Sequence, residues 1–220
     1  MDEVSQFQNK GSPCVSFLPT FDLGKNSKIP ILAPVDNLLI TTIVKQSRMN
    51  FQEIILKRRS IRKFTDRKVD SETRIAILKA AMYAPSAVNK QPWHFIIIDE
   101  KSVKEKIMEI HPYSKMFETA DFGILVCGDL NAQHGPGYWI ADCGAATENI
   151  LLSSTALGLG SCWVGVYPRE ERMKLFKEYF RLPDHIEAFS LIAIGYPAEE
   201  KKMPERFSPE KIYMNTWGKR

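Results

Sequence analysis

The sequence has no long hydrophobic run and little cysteine. None of its apolar stretches approaches the roughly 20 residues that a membrane-spanning helix needs. Its 44% hydrophobic residues and mixed charges are ordinary for a soluble domain. The four cysteines form no CxxC pair and have no histidine at zinc-finger spacing. We therefore expect a soluble, cytoplasmic protein with free thiols, no membrane association and no metal site.

Motifs of side-chain catalysis are also missing. There is no HExxH or GxSxG, and no pair of carboxylates whose spacing demands a catalytic role. The four histidines are scattered, and we interpret each as structural or solvated: His94, His111, His134 and His185. The net charge of +4 is mild and gives weak support to a general nucleic-acid surface. We expect no nucleic-acid partner.

The chain divides near residue 48. Its 220 residues suit one domain, but the first 48 are rich in glycine and proline and have no convincing amphipathic period. We predict an N-terminal extension of unknown role at 1–48 and a domain at 49–220 that includes a C-terminal arm. Two interpretations of the extension stay open. Either Met49 is the true initiator, or the extension is an arm that packs on the domain or on a partner.

The patterns beyond residue 48 predict helices alternating with short strands. Asn50 and Glu53 resemble a capping box that starts a helix through residue 59. Four further helices are predicted at 70–84, 102–110, 138–157 and 169–180, and four strands at 93–98, 122–127, 161–167 and 188–194. This order favours an α/β arrangement with helices around one sheet. GLG at 158–160 follows a helix and precedes a strand, so we interpret it as a helix C-cap rather than a dinucleotide-binding turn.

Two segments predict a binding site for a phosphorylated, planar cofactor. RRSIRKF at 58–64 supplies Arg58, Arg59 and Arg62, whose forked donors match phosphate oxygens, and the hydroxyl of Ser60. If this piece is extended, side chains 58, 60 and 62 point the same way. APSAVNKQPWHF at 84–95 is a polar loop flanked by aromatic residues. The alternative is a solvated basic helix end, or a non-enzymatic module that binds phosphate or RNA.

Together with GAATENILLSSTALGLGSCWVG at 144–165 and IGYPAEEKKMPER at 194–206, these segments resemble the nitroreductase-like family of FMN-dependent NAD(P)H oxidoreductases. The resemblance runs from about Phe51 to Trp217. It implies an α/β (α+β) fold, with a three-layer α-β-α sandwich around a mixed, mostly antiparallel sheet. It also implies an intertwined homodimer with two FMN sites at the subunit interface.

The resemblance also assigns cofactor contacts residue by residue. Phosphate and ribityl contacts fall on Arg58, Arg59 and Ser60, with Arg62 close by. Asn89 matches a contact to the flavin ring or ribityl chain, and Ser86 and Gln91 belong to the same motif. The remaining matches are the backbone beside the reactive ring edge, at Cys162, Trp163, Val164 and Gly165, and the basic residues returning to the phosphate, Lys202 and Arg206. For Asn89 the alternative is a turn residue, and for Gly165 a glycine beside a bulge.

The implied activity is hydride transfer from NADH or NADPH through FMN to a nitroaromatic, quinone or similar small-molecule acceptor. The flavin carries the chemistry, so no catalytic side chain is expected. A different flavin chemistry on the same fold, either reductive dehalogenation or flavin fragmentation, stays open. A substrate lid between about 110 and 137 would discriminate these activities, and His111, Tyr113, Phe117 and Tyr138 lie there without an assigned role.

Overall fold

A computed structural model of the protein describes residues 50–219. At its centre is a four-stranded antiparallel sheet with strand order β1-β2-β4-β3. The strands are β1 Trp93–Ile98, β2 Phe122–Asp129, β3 Gly160–Gly165 and β4 Ile186–Gly195. The helices are α1 Phe51–Lys57, α2 Ser71–Met82, α3 Lys101–Ile110, α4 Tyr138–Ala156 and α5 Glu170–Phe180. Short 3₁₀ turns lie at Ala87–Asn89, Lys115–Glu118 and Pro209–Lys211.

Both faces of the sheet are covered by helices. The two central strands, β2 and β4, are almost continuously apolar and buried, as expected where neither face meets water. Ile107 of α3 and Phe176 of α5 pack on one face, while Ile77 of α2 and Trp139 of α4 pack on the other. The predicted three-layer arrangement is confirmed. An isolated parallel bridge joins Ser60 to Ser161 of β3.

Side-chain caps begin two of the five helices, α1 at Asn50 and α2 at Asp70. The Glu53 N–H donates to Asn50 Oδ1 at 3.0 Å, so the predicted start of α1 is confirmed. However, α1 ends at Lys57 rather than at residue 59, because the backbone of Arg58 has already left the helical region, with φ −54° and ψ 127°. The predicted start of α3 at Ser102 was wrong: Glu100 is the N-cap, and its carbonyl accepts the first helical hydrogen bond. The basic segment therefore starts at the exit of α1.

Gly158 ends the long helix as the sequence predicted. Its φ of 74° lies in the left-handed region that glycine adopts readily. The chain then enters β3, which ends at Gly165 instead of residue 167, because the N–H groups of Val166 and Tyr167 both turn to the carbonyl of Phe189. The predicted extension at 1–48 lies outside the described residues. Within 50–219, no helix is both long and apolar enough to cross a membrane.

An ion cluster around one buried carboxylate ties the chain before α2 to the start of β2. Asp121, whose side chain is 1% exposed, accepts the Val69 N–H at 3.0 Å and Arg74 Nη2 at 2.9 Å. Lys68 Nζ lies 3.0 Å from the other carboxylate oxygen. Burial alone would raise the pKa of Asp121, but these three partners outweigh it and the pKa is lowered.

Candidate functional site

The free edge of β3 forms one wall of the candidate site. On its other side β3 pairs with β4. At the start of the free edge, the Ile61 N–H donates to the Ser161 carbonyl at 2.9 Å. Alternate residues of an antiparallel strand turn their N–H and C=O groups to the same side, so Trp163 and Gly165 face outward like Ser161. Their backbone N–H groups therefore lie on the free edge.

A cavity of about 980 Å³ opens beside this edge. Its size is at the upper end of the range of small-molecule sites. Five of the residues predicted as cofactor contacts line it: Arg62, Cys162, Trp163, Val164 and Gly165. The rest of the wall comes from residues 63–64, from the turn 111–119, from Arg172 of α5 and from residues 198–201. Segments far apart in the sequence thus meet at β3.

The lining carries an excess of positive charge. Its cations are Arg62, Lys63, Lys115, Arg172 and Lys201, and its carboxylates are Glu118 and Glu199. Lys201 Nζ lies 3.4 Å from Glu199. Among the described residues, the other four cations form no ion pair with a carboxylate. A cavity with this charge suits an anionic ligand.

The carbonyl of Gly165 accepts two hydrogen bonds at the cavity wall. His111 Nε2 lies 3.0 Å from it and Arg172 Nη1 lies 3.2 Å from it. The Tyr113 N–H donates to His111 Nδ1 at 3.2 Å, so Nε2 is the nitrogen that carries the proton. His111 is buried, and that burial, reinforced by the charge of Arg172, lowers its pKa. The imidazole is therefore neutral near pH 7.

Arg58, Arg59 and Arg206 lie near one another although they come from opposite ends of the domain, and none of them lines the cavity. Arg59 Nε donates to the Lys202 carbonyl at 3.2 Å. Burial, followed by the charges of Arg206 and Arg58, lowers the pKa of the Arg59 guanidinium. Arg58 Nε also lies 3.4 Å from Glu148 of α4. The cluster joins the exit of α1 to the C-terminal segment.

The basic residues of the C-terminal segment divide between two environments. Lys201, which the sequence analysis did not select, lines the cavity and donates to the Ser60 carbonyl at 2.8 Å. Lys202 contributes its carbonyl to Arg59 while its side chain is exposed. Neighbouring residues of an extended segment point in opposite directions. No local signal in the sequence shows which of the two lysines faces inward.

The loop that carries Ser86, Asn89 and Gln91 lies beside α4, and none of the three lines the cavity described above. The Gln91 N–H donates to Ser86 Oγ at 2.9 Å, and Gln91 Nε2 donates to Asn89 Oδ1 at 3.0 Å. Asp142 of α4 accepts a backbone N–H of the loop at 2.9 Å. Val88, Asn89 and Gln91 have φ values of 51°, 55° and 49°. Strained backbone of this kind concentrates at functional sites.

The segment predicted as a lid supplies residues that the motifs did not identify. Tyr113, Lys115 and Met116 line the cavity. Phe117 is 1% exposed and belongs to the core, and Tyr138 is half exposed and is not among the lining residues. Tyr113 and Lys115 carry no motif of their own, because only the packing of their turn against β3 places them in the cavity wall.

The three cysteines that the structure describes are buried thiols. Burial raises the pKa of Cys127 to about 12 and also raises the pKa values of Cys143 and Cys162. Cys162 lines the cavity as a thiol rather than a reactive thiolate. In the part of the chain that the structure describes, no group of three His, Cys, Asp or Glu side chains could hold a metal ion.

The comparisons with known proteins agree with this arrangement. The model of the nitroreductase family matches residues 55–111 and 108–196. The chain belongs to the nitroreductase family. A protein of Methanothermobacter thermautotrophicus, provisionally named NADH dehydrogenase/NAD(P)H nitroreductase, is 45% identical over 173 residues, which are 79% of this chain and 91% of that protein.

Two solved structures share the fold. An FMN-dependent nitroreductase from Clostridium difficile R20291 is 31% identical with a TM-score of 0.70, covering 76% of this chain and 99% of the other. A provisionally named nitroreductase from Desulfovibrio desulfuricans, solved in complex with FMN, is 28% identical with a TM-score of 0.68. That comparison covers 77% of this chain and 98% of the other.

Proposed function

We propose that this protein binds FMN beside β3 and uses it to pass hydride from NADH or NADPH to a small-molecule acceptor such as a nitroaromatic or a quinone. The observation that carries this proposal is the cavity itself. It is cation-rich, and it is bordered by the outward N–H groups of Trp163 and Gly165. Family membership supports the assignment, as do the FMN and NAD(P)H in the names of the relatives.

The residues present fit such a cofactor. Arg58, Arg59 and Arg206 lie outside the cavity lining, and their guanidinium groups are of the kind that matches a phosphate monoester. Arg59 Nη1 donates to the carbonyls of Leu56 and Arg58, which leaves Nη2 for a ligand. Ser60 lies within the same segment. Backbone N–H groups on the edge of β3 suit the polar edge of a flavin ring. When bound, FMN supplies the ability to accept and return a hydride, which no side chain here can do.

The residues of the chain itself would bind, orient and shield the cofactor. Cys162 and Val164 belong to the buried apolar cluster on this face of the sheet, so the wall behind the backbone edge of β3 is apolar. Arg62 and Lys201 place positive charge on the cavity wall, which favours a ligand that gains negative charge on reduction. We assign the side chain of Lys202 to the same phosphate region as Arg206.

A homodimer would complete the site. Large apolar side chains are exposed on α1, on the loop after α2 and on the C-terminal segment, at 65% for Phe51, 70% for Val88, 73% for Phe207 and 88% for Trp217. Exposed apolar surface of this kind marks an interface. We infer that a second copy covers it, with Ser86, Asn89 and Gln91 of one subunit contributing to the cavity of the other. A cytoplasmic location stays a prediction.

The test is an absorption spectrum of the purified full chain from about 300 to 550 nm, repeated without oxygen after NADH or NADPH is added. We expect flavin bands that bleach with the nucleotide and return when a nitroaromatic or a quinone is supplied. Bands that do not bleach would favour reductive dehalogenation or flavin fragmentation. A colourless protein that also fails to take up added FMN would overturn the proposal and favour a module that binds phosphate or RNA.

A further inference from the structure

We propose that His111 and Arg172 are positioning residues, which hold the Gly165 carbonyl and thereby orient the backbone edge of β3 toward the bound flavin. This inference rests on the proposed function, because it assigns roles around the same cavity. Neither residue belongs to the motifs by which the site was predicted.

Gly165 needs such an anchor because it lies where the regular sheet stops. The next two N–H groups, those of Val166 and Tyr167, share the Phe189 carbonyl at 3.3 and 2.9 Å. Glycine has no side chain to restrain its backbone. The outward peptide groups at the end of β3 are therefore held from the cavity side, by His111 Nε2 at 3.0 Å and Arg172 Nη1 at 3.2 Å.

The imidazole is itself fixed from several directions. His111 is the C-cap of α3, and its N–H donates to the Ile107 carbonyl at 2.9 Å. Its own carbonyl accepts the Ser114 hydroxyl at 2.7 Å. The ring of Phe176 stands edge-on, with the two ring centres 6.2 Å apart. With Nδ1 accepting from the Tyr113 N–H, the ring has one tautomer and one orientation, which aims Nε2–H at Gly165.

Arg172 adds a charged donor from a different helix. Its guanidinium carbon lies 5.4 Å from the centre of the Tyr113 ring, and among the described residues it has no carboxylate partner. Hydrogen bonds from a charged donor are stronger than those between neutral groups. Because one donor is the C-cap of α3 and the other lies on α5, the Gly165 carbonyl is held from two helices at once.

Two substitutions separate the two hydrogen bonds of the imidazole. His111→Gln places an amide N–H near the position of Nε2, so it retains the donor to Gly165 and loses the acceptor for Tyr113. His111→Asn places an oxygen near Nδ1, so it retains that acceptor and loses the donor. A residue that served only to shape the turn would tolerate Asn better than Gln. A residue that positions β3 would tolerate Gln better than Asn.

The readouts are the Kd of FMN, from quenching of flavin fluorescence on binding, and hydrogen-deuterium exchange of residues 160–167 in the FMN-free full chain. We expect His111→Asn and Arg172→Ala each to weaken FMN binding by about two- to tenfold, the worth of one hydrogen bond, and to speed exchange in β3. His111→Gln should stay close to wild type. Lys174→Ala, on the exposed side of α5, is the matched control for Arg172.

Wild-type behaviour of His111→Asn together with an impaired His111→Gln would overturn the inference. So would unchanged β3 exchange in both His111→Asn and Arg172→Ala. Failure of the proposed function would look different, since wild type itself would then not bind FMN. In that case exchange of residues 160–167 alone decides whether His111 and Arg172 hold the strand. Thermal unfolding of each variant shows whether the domain is still folded.

Discussion

Two groups of basic side chains are placed in opposite ways in this domain. Lys68 and Arg74 surround the buried carboxylate of Asp121, with ion-pair distances of 3.0 and 2.9 Å. Beside β3, by contrast, Lys115 and Arg172 border a large cavity and form no ion pair with a carboxylate among the described residues. The first group is neutralised within the chain, and the second has charge available for a ligand.

The difference shows how a structural cation can be told from a binding one. A cation with a buried internal counterion stabilises the fold, and removal of either partner leaves an unpaired charge. A cation at a cavity wall without a counterion adds little to stability and attracts anions. The residue type is the same in both places, so the surroundings decide the role.

The largest effect should come from removal of the internal counterion. Asp121→Ala should lower the free energy of unfolding by about 3–5 kcal/mol, because it leaves Arg74 with the exposed Asp99 as its remaining carboxylate partner and the Val69 N–H without an acceptor. Urea titration of the FMN-free protein measures this change.

The matched control is Asp99→Ala. Asp99 binds the same guanidinium at 3.1 Å but is 57% exposed, so its removal should cost about 1 kcal/mol or less. Equal losses in the two variants would show that burial of Asp121 does not matter, and the comparison would fail.

Acid should weaken the Asp121 cluster in a defined direction. Burial opposes ionisation of Asp121, but the Val69 N–H, Lys68 and Arg74 lower its pKa below the unfolded value. Such a carboxylate stabilises the fold fully above the unfolded pKa of about 3.9, and the contribution is lost as pH falls through the lower folded value. Wild type should therefore lose stability below about pH 4 more steeply than Asp121→Asn does. Parallel urea titrations at several pH values measure the difference.

The sequence predicted more of the fold than of the site, for a physical reason. Capping at Asn50, the glycine C-cap at Gly158 and the apolar strands are local patterns, and they were confirmed. The cavity wall depends on long-range packing. Tyr113 and Lys115 reach β3 only because α3 packs against the sheet, and no local pattern records that. The cavity-facing position of Lys201 depends on its orientation in an extended segment.

A charge reversal at the cavity should leave the free energy of unfolding almost unchanged and should weaken binding of the ligand. Lys115→Glu changes an exposed side chain that has no ion pair among the described residues, so the free energy of unfolding should stay within about 0.5 kcal/mol of wild type. The Kd of FMN should rise by about fivefold to tenfold, because a negative charge at the wall repels an anionic ligand. Lys101→Glu, which reverses a charge outside the cavity lining, is the control and should change neither the stability of the fold nor the Kd of FMN by a comparable amount. A loss of stability in Lys115→Glu without a change in Kd would place Lys115 with the structural cations.

A change of salt concentration should give the smallest of these effects, and it should act on the cavity cations more than on the cations around Asp121. The screening length falls from about 10 Å at 0.1 M ionic strength to about 3 Å at 1 M, and buried pairs are screened far less than exposed charges. The Kd of FMN should therefore rise a few-fold over this range, while the stability difference between wild type and Asp121→Ala should hardly change. Fluorescence titration and urea titration at both ionic strengths measure the two quantities on the same protein preparation. A Kd independent of salt would mean that the cavity cations are not what attracts the ligand, and the wall at β3 would then act mainly through its backbone N–H groups.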